Sequence, residues 1–211
     1  MSRALKRVLD VIVSAVFLAL LSIPFALIAI AIRLGSRGSV FFRQERVGLR
    51  GRTFRVWKFR TMVTGAAKKG LGLNVSRDDF RITRVGRVLR NWGLDELPQL
   101  INVLTGEMSL VGPRPTLAYQ VERYDASQRR RLEMRPGITS LAVVSGRNSL
   151  QWTKRIVLDV WYVDHWSLCL DFSILLRTLW SVLVTREGLY GEGGLNDPFG
   201  GPPPKQSSDG V

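Results

Sequence analysis

Two adjacent acidic residues, Asp95 and Glu96, stand in the stretch GLDELPQL at positions 93–100 of a strongly basic chain. A carboxylate oxygen can act as a nucleophile, and a carboxylate pair can bind a hard cation through its oxygens. The 211 residues include one cysteine and one histidine, which excludes a zinc site made of Cys and His ligands. The pair therefore predicts Mg²⁺ held by oxygen, next to a phosphate group.

A structural role for Asp95 is the alternative. Aspartate is among the best helix N-caps. The apolar residues that follow have helical spacing: Leu97, Leu100, Ile101 and Leu104. This spacing predicts a helix that begins near Asp95, with Pro98 in its first turn. A cap does not require the second acid, Glu96, so both interpretations stay open at this point.

Arginines on loops can supply phosphate contacts. Arg114 lies between two prolines in LVGPRPTL, and a guanidinium on a stiff loop matches the oxygens of a phosphate. The plain alternative is a turn with a solvated arginine. Two further turn signals, RPG and GRN, carry Arg135 and Arg147 in the same way.

The overall charge favours anionic partners. Lys and Arg number 31 against 17 acids, and the net charge of +14 suits nucleic acid, acidic lipid headgroups or phosphorylated small molecules. Residues 33–60 hold nine of the basic residues and interleave them with aromatic ones. Within them, TFRVWKFR predicts a short strand or an interfacial segment. Such a segment suits a headgroup layer or single-stranded nucleic acid, and the apolar run before it favours the membrane.

That apolar run is Val11–Ile32, which has 22 residues and no charge. As one helix it could just cross a bilayer core of about 30 Å. Pro24, with Ser22 two residues before it, predicts a break in the helix. Basic residues flank the run at both ends: Lys6, Arg7, Arg33 and Arg37. Two basic ends favour a re-entrant helix with both ends on the cytoplasmic side, and a kinked spanning anchor is the alternative.

Amphipathic helices are predicted in the central and C-terminal parts. From Arg81 to Gly93, apolar residues are spaced three and four apart: Val85, Val88, Leu89 and Trp92. Residues 156–184 are apolar and aromatic, which is typical of helices in the membrane interface or in a core. Asp159 and Asp171 interrupt this stretch and require polar partners.

These elements predict a predominantly α fold with a small β component. A re-entrant membrane helix-break-helix and interfacial amphipathic helices are expected to surround a compact catalytic domain. The expected divisions are a membrane segment at 1–37, a catalytic domain at the cytoplasmic face at 38–187, and a flexible Gly/Pro/Ser-rich tail at 188–211. The length suits one domain, so no second folded domain is expected.

Seven motifs occur in order along the chain: KRVLD, GSVFFRQERVG, WKFRTM, RVGRVLRNWGLDELPQLINVLTGEMSLVGPRP, RPGIT, SGRN and LDVWYV. With them, the sequence resembles the bacterial sugar transferases, the monotopic polyprenyl-phosphate phosphoglycosyl transferases, over about residues 6–183. Two departures stand out. Ile23 separates the Ser and Pro that are usually adjacent, and TSLAVVSGRN stands in place of the more usual TGWAQVNGRN.

The resemblance implies a monotopic enzyme at the cytoplasmic face of the bacterial inner membrane, with a re-entrant helix broken at Ser22 and Pro24. It implies transfer of a sugar 1-phosphate from a UDP-sugar to a polyprenyl phosphate such as undecaprenyl phosphate, with release of UMP. This reaction would start membrane-linked glycan assembly, as in exopolysaccharide biosynthesis. By the same resemblance, Asp95 is the nucleophile of a covalent phosphosugar intermediate. Glu96, with Asp95 beside it, holds Mg²⁺, and Mn²⁺ is an alternative ion.

The resemblance also implies a set of substrate-binding residues. Arg90 and Arg114 match family arginines that face phosphates. The remaining members of the predicted set match other polar positions of the family motifs: Lys58, Arg147 and Asp159.

The expected partners are a UDP-sugar, a polyprenyl phosphate and anionic membrane lipids. Downstream glycosyltransferases and a second copy of the chain, as a homodimer, are further candidates, and nucleic acid is not expected. The alternative is a membrane-anchored basic protein that binds nucleic acid or acts as a scaffold. That alternative explains the positive charge, but it leaves the acid pair and the GPRP turn without a purpose.

Overall fold

The computed structural model describes residues 3–66, 79–146 and 150–185. The fold is predominantly helical with two small sheets, which confirms the predominantly α class with a small β component. The helices are α1 (Arg3–Leu20), α2 (Ser22–Gly35), α3 (Arg84–Asn91), α4 (Gln99–Thr105), α5 (Ala118–Glu122), α6 (Ala126–Arg129), α7 (Leu141–Val144), α8 (Trp152–Asp164) and α9 (Leu168–Trp180). The strands are β1 (Phe41–Val47), β2 (Thr53–Phe59), β3 (Ser109–Val111) and β4 (Gly137–Thr139). The predicted tail at 188–211 lies outside the described residues.

The apolar run is broken as predicted, but the break lies at Leu21, between α1 and α2, rather than at Ser22 and Pro24. The two helices are bent by 61° relative to each other. Pro24 lies in the first turn of α2, where its missing N–H costs little. The Ser22 hydroxyl donates to the Ala19 carbonyl at 2.8 Å and so satisfies one of the carbonyls near the bend. Among the described helices, none alone is long and apolar enough to cross a membrane, whereas this bent pair passes the same test when taken together.

The first two helices expose apolar side chains and bury polar ones. Leu20, Ile23 and Leu34 are each at least 70 % exposed. The buried residues of α1 are polar or charged instead: Lys6, Asp10 and Ser14. Helix α9 also exposes large apolar residues, including Phe172 and Trp180. Apolar surface of this extent is typical of a contact with a membrane or another protein.

Strands β1 and β2 form an antiparallel hairpin in which Phe41 pairs with Phe59. This confirms the strand predicted for TFRVWKFR. Phe59 is buried in one cluster with Ile32 of α2 and Leu89 of α3. The hairpin therefore packs against both α2 and α3, the helix that precedes the acid pair.

The second sheet pairs β3 and β4 in parallel, and a core cluster joins it to the C-terminal helices. In that cluster Val111 of β3 packs with Tyr162 of α8. Asp171 of α9 has the polar partners that the sequence requires, since it accepts hydrogen bonds from Lys6 and from the Tyr162 hydroxyl, each at 2.6 Å. The ion pair with Lys6 attaches the start of α1 to this C-terminal core.

Two predicted helix starts are wrong. Helix α3 begins at Arg84 rather than Arg81, because Thr83 caps it by accepting a hydrogen bond from a first-turn amide. Helix α4 begins at Gln99, and the residues before it form the 3₁₀ turn Leu94–Glu96. The acid pair therefore lies in a tight turn between two helices.

Helix α3 buries less of its apolar face than its spacing predicts. Leu89 is buried, but Val88 and Trp92 are 56 % and 36 % exposed. The helix contacts its neighbour through Gly86, where a Cβ atom would lie 2.0 Å from the Thr61 carbonyl oxygen. Through this contact, α3 packs closely against the backbone at Thr61, just after β2.

We expect Gly86→Ala to lower the free energy of unfolding by about 1–3 kcal/mol, because the added methyl group forces α3 away from Thr61. Gly35→Ala is a matched control, since it also lies in a helix and its nearest neighbour would be 3.4 Å away. That change should leave stability unchanged or slightly raised. Denaturant unfolding in detergent micelles, followed by tryptophan fluorescence, measures both. Equal stability of the two variants would contradict this account of the packing.

Candidate active site

Glu96 is held by two cations from distant parts of the chain. Lys58 Nζ lies 2.6 Å from Glu96 Oε1, and Arg114 donates to Oε1 at 2.6 Å and to Oε2 at 3.2 Å. Burial raises the pKa of Glu96, but the positive charges of Arg114 and Lys58 outweigh it and hold that pKa well below its usual range. Glu96 is therefore ionised at neutral pH, with both oxygens already hydrogen-bonded.

Asn102 of α4 fixes the strand that carries Lys58. Its side chain accepts a hydrogen bond from the Trp57 amide at 2.9 Å and donates to the Arg55 carbonyl at 2.8 Å. Asn102 is fully buried, so these bonds are shielded from water. They join β2 to α4, which follows the acid pair directly, and so place Lys58 beside Glu96.

Asp95 does not cap helix α4. The N-cap position of α4 is Pro98, and Asp95 lies within the preceding 3₁₀ turn. The turn follows Gly93, whose φ of 66° is in the left-handed region that favours glycine. The interpretation of Asp95 as the cap of this helix is therefore wrong, and the turn leaves its carboxylate without that structural role.

The two adjacent carboxylates have different electrostatic environments. Burial and the negative charge of Glu96 raise the pKa of Asp95, and the cations Lys58 and Arg90 only partly oppose this. Glu96 is neutralised by direct ion pairs, whereas Asp95 has no ion pair within 4.0 Å among the described residues. Asp95 therefore carries the more basic carboxylate oxygen of the pair.

Arg90 reaches the site from the last turn of α3. Its Nε donates to the Thr61 hydroxyl at 2.8 Å, and its charge lowers the pKa of Asp95. Thr61 is buried, and its carbonyl oxygen is the atom against which Gly86 packs. Thr61 was not predicted as an orienting residue, although it stands in the WKFRTM motif three residues after Lys58.

The backbone of Arg114 is fixed from behind by a buried ion pair. Arg131 donates to the Arg114 carbonyl at 2.9 Å and pairs with Asp159, and it also donates to the Tyr124 hydroxyl at 2.6 Å. Asp159 was predicted to bind substrate. It is 1 % exposed and its described partner is Arg131, so we assign it a positioning role instead.

A small pocket opens next to Glu96. Its lining residues are Arg46, Val56, Lys58, Gln99, Arg114 and Pro115. Arg46 is a further cation that the sequence analysis missed. Burial and the charge of Arg114 lower the pKa of Arg46 to about 10, against the attraction of Glu96. Strand alternation could have identified it, because the hairpin register places Arg46 and Lys58 on the same face.

The donor set fits a divalent cation that is shared with a substrate. No group of three or more His, Cys, Asp or Glu residues in the described part of the chain could hold a metal ion alone. Mg²⁺ often uses one or two carboxylates and takes its other ligands from water and substrate phosphates. Asp95 and Glu96 meet that requirement, with Asp95 the more available of the two.

The structure thus brings five of the predicted site residues into one region: Lys58, Arg90, Asp95, Glu96 and Arg114. Asp159 lies behind them, and Arg147 lies outside the described residues. Ser22 and Pro24 lie in the first turn of α2, directly after the helix break, and make none of the described contacts with the acid pair.

Comparisons with known proteins cover most of the chain. The family model described as bacterial sugar transferase matches residues 1–185. The chain is 47 % identical over 183 residues to the uncharacterized sugar transferase EpsL of Bacillus subtilis, a match that covers 86 % of this chain and 89 % of EpsL.

Two relatives have names that state a reaction. The chain is 44 % identical over 188 residues to the UDP-glucose:undecaprenyl-phosphate glucose-1-phosphate transferase of Caulobacter vibrioides, covering 85 % of this chain and 70 % of that protein. It is 39 % identical over 189 residues to a transferase of the same name from Klebsiella pneumoniae, covering 86 % of this chain and 40 % of that longer protein.

We expect Glu96→Gln to lower the pKa of Asp95, because the variant removes a neighbouring negative charge and releases Lys58 and Arg114 to act on Asp95. Carboxyl ¹³C NMR titration measures this midpoint. In the wild type it should lie above the ordinary aspartate value of about 3.9. Glu45→Gln, an exposed acid of β1, is the matched control and should leave the midpoint in place. An unchanged midpoint in Glu96→Gln would contradict the coupling.

Proposed function

The chain belongs to the bacterial sugar transferase family, and on this premise we propose that it transfers a sugar 1-phosphate from a UDP-sugar to a polyprenyl phosphate. The observation that carries this proposal is the unequal acid pair among four cations. Asp95 has a raised pKa, whereas Glu96 is neutralised by Lys58 and Arg114. The names of the Caulobacter and Klebsiella relatives support undecaprenyl phosphate as the acceptor and a UDP-hexose as the donor.

The proposed chemistry has two displacements at one phosphorus atom. An Asp95 oxygen forms a bond to the phosphorus of the sugar phosphate, and the bond to the bridging oxygen breaks, so that UMP leaves with the electron pair. An oxygen of the polyprenyl phosphate then bonds to the same phosphorus and the Asp95–phosphorus bond breaks. The products are UMP and a polyprenyl diphosphate sugar, and Asp95 is regenerated.

The electrostatics favour Asp95 over Glu96 as the nucleophile. An oxygen that accepts strong hydrogen bonds from cations is a poor nucleophile, and both oxygens of Glu96 do so. A raised pKa makes the Asp95 oxygen the more basic of the two carboxylates. Arg90, Arg114 and Arg46 supply the positive charge that screens the phosphate from an anionic nucleophile.

Mg²⁺, or Mn²⁺ in its place, is proposed to be held by Asp95 and Glu96 together with substrate phosphate oxygens. When bound, it would neutralise phosphate charge as a Lewis acid. The chain's own residues would orient the diphosphate: Arg114 from the GPRP turn, Arg90 from α3 and Lys58 from β2. Glu96 keeps Lys58 and Arg114 in place before substrate binds.

A monotopic placement at the cytoplasmic face of the inner membrane is proposed for the bent pair α1 and α2. The supports are the 61° bend, the exposed apolar surface of both helices and the basic residues at both ends of the apolar run. With this topology a lipid-borne phosphate and a soluble nucleotide could reach the same carboxylate. The membrane-anchored nucleic-acid-binding alternative gives no purpose to the unequal acid pair.

We predict that the wild-type protein, incubated with its UDP-sugar and no lipid acceptor, gains the mass of one sugar phosphate. Asp95→Asn should gain none, because the amide cannot attack phosphorus. Glu96→Gln is the control that keeps the nucleophile, and it should still form the adduct. Intact-protein mass spectrometry measures all three. An adduct on Asp95→Asn would place the nucleophile elsewhere in the chain.

Turnover should require a divalent cation. We expect excess chelator to abolish UMP release from a UDP-sugar and polyprenyl phosphate, and added Mg²⁺ or Mn²⁺ to restore it. The residual activity of Glu96→Gln should rise with the metal concentration, because that variant has lost one carboxylate ligand. Full activity in excess chelator would contradict the proposed metal.

The topology proposal predicts that both ends of the bent pair share one side of the membrane. In a Cys169→Ser background, single cysteines replacing the exposed residues Arg3 and Arg52 should be equally protected from an impermeant maleimide in intact cells. Permeabilised cells are the control in which both must react. Pro24→Ala should shift the balance toward spanning, because an unbroken run of this length can cross. Opposite accessibility of the two positions would restore a spanning anchor.

A further inference from the structure

A second basic cavity lies away from the acid pair. It is lined by Arg3, Lys6, Arg7, Asp10, Leu49, Arg50, Ser109, Glu133, Met134 and Arg135. It shares no lining residue with the pocket beside Glu96. Arg7 donates to the carbonyls of Val103 and Leu104, at the C-terminal end of α4, whereas the acid pair precedes the N-terminal end of that helix. The two sites are thus at opposite ends of α4.

Some of the cations in this cavity have structural partners and others do not. Lys6 pairs with Asp171, and the Nε atom of Arg135 donates to the Gly106 carbonyl at 2.9 Å. The side chains of Arg3 and Arg50 are exposed and form no hydrogen bond or ion pair with another described residue. The cavity therefore presents two accessible guanidinium groups above a layer of fixed positive charge.

The acids of the cavity do not neutralise this charge. Five of its lining residues are basic and two are acidic. An Asp10 oxygen already accepts a hydrogen bond from the Leu110 amide at 3.1 Å. Glu133 is exposed and has no ion pair within the described residues. The local excess of positive charge predicts an anionic ligand.

Arg50 takes a backbone conformation that arginine rarely adopts. Its φ and ψ are 55° and 30°, and among the described residues it is the only non-glycine with a positive φ. This conformation is unfavourable for a residue that has a Cβ atom. In this conformation, the tight turn Leu49–Gly51 places the Arg50 side chain at the cavity, opposite the first turns of α1.

The position along α1 indicates where such an anion would come from. Arg3, Lys6 and Arg7 line the cavity on one face of the helix, while Leu5 and Val8 of the same turns are 44 % and 52 % exposed. The cavity thus lies at the level where the apolar surface of α1 begins. Phosphate groups of lipids are found at this level when an apolar helix surface enters a bilayer.

We propose that this cavity binds a single phosphate group, of the kind carried by an anionic glycerophospholipid or by free inorganic phosphate. Its volume of about 100 Å³ is several times the room that one water molecule needs. Arg3 and Arg50 contact the phosphate oxygens, and the fixed charges of Arg7 and Arg135 add to the attraction. The lipid source rests on the proposed membrane placement, but the site itself does not depend on the transfer chemistry.

The test compares the double variant Arg3→Ala/Arg50→Gly with Arg52→Ala/Arg55→Ala. Both remove two exposed positive charges, but Arg52 and Arg55 do not line the cavity. Glycine is chosen at position 50 because it accepts the positive φ without strain. Native mass spectrometry of the full chain in detergent measures retention of phosphatidylglycerol against phosphatidylcholine, and a titration with inorganic phosphate is run in parallel.

The wild type and the control pair should retain one phosphatidylglycerol in preference to phosphatidylcholine. The cavity variant should bind it on the order of tenfold more weakly or worse. Loss of inorganic phosphate binding alone, with phosphatidylglycerol unaffected, would identify free phosphate as the source. Equal anion binding by the cavity variant and the control pair would overturn the site. UMP release in detergent should continue in both variants, so a failed site and a failed transferase proposal give different results.

Discussion

The contacts of one carboxylate organise the whole candidate site. Glu96 lies in a short turn, yet it joins Lys58 of the hairpin and Arg114 of the loop after β3. Neither cation is near it in sequence, so these ion pairs form only when the hairpin, α4 and the loop have packed together. As a result, Asp95 lies beside a Glu96 whose charge is balanced by two ion pairs, and the Asp95 carboxylate itself forms no ion pair with a described cation.

Buried charges elsewhere attach the bent helix pair to this site. At the start of α1, Lys6 pairs with Asp171 in the C-terminal core. After the end of α2, the carbonyls of Ser36 and Arg37 accept hydrogen bonds from Arg60, each at 2.7 Å, and Arg60 directly follows β2. Removing one partner of a buried pair leaves an uncompensated charge, which is strongly destabilising. The helices are therefore held at both ends by the same elements that carry the site residues.

Much of this organisation could be predicted from the sequence because it depends on local patterns. Hydrophobic periodicity predicted α3 and α4, and long apolar runs predicted α1, α2, α8 and α9. Strand alternation predicted β2, and Pro24 indicated the helix break. The acid pair was predicted to bind a metal ion or to react with a phosphate, because a helix cap requires only one of the two carboxylates. The start of α4 was misplaced, since Asp95 is as good a cap as any residue and only packing shows that a 3₁₀ turn comes first.

The residues that the sequence did not predict act through long-range contacts. Asn102 is an ordinary polar residue of a helix until its side chain is seen to join β2. Thr61 orients Arg90, and its backbone packs against Gly86, which no spacing rule relates to it. Asp159 was predicted to bind substrate because it matches a polar position of the family motif LDVWYV, and its place in an apolar stretch predicted only that it needs a polar partner. That partner is the buried Arg131, which no local pattern identifies.

The buried pair of Arg131 and Asp159 bears on the proposal that Arg114 holds Glu96 and also contacts a substrate phosphate. The Arg114 backbone is fixed by a buried pair, but its side chain is 45 % exposed. Because solvent reaches this guanidinium, a phosphate oxygen can take the place of a Glu96 oxygen without a change in the backbone of the loop. The loop fixes the position of the Arg114 backbone, and the solvent exposure of its side chain allows the guanidinium to exchange one anion for another. In the proposed reaction, an Arg114 side chain that turned to a phosphate would free Oε2 of Glu96, while Lys58 would stay on Oε1.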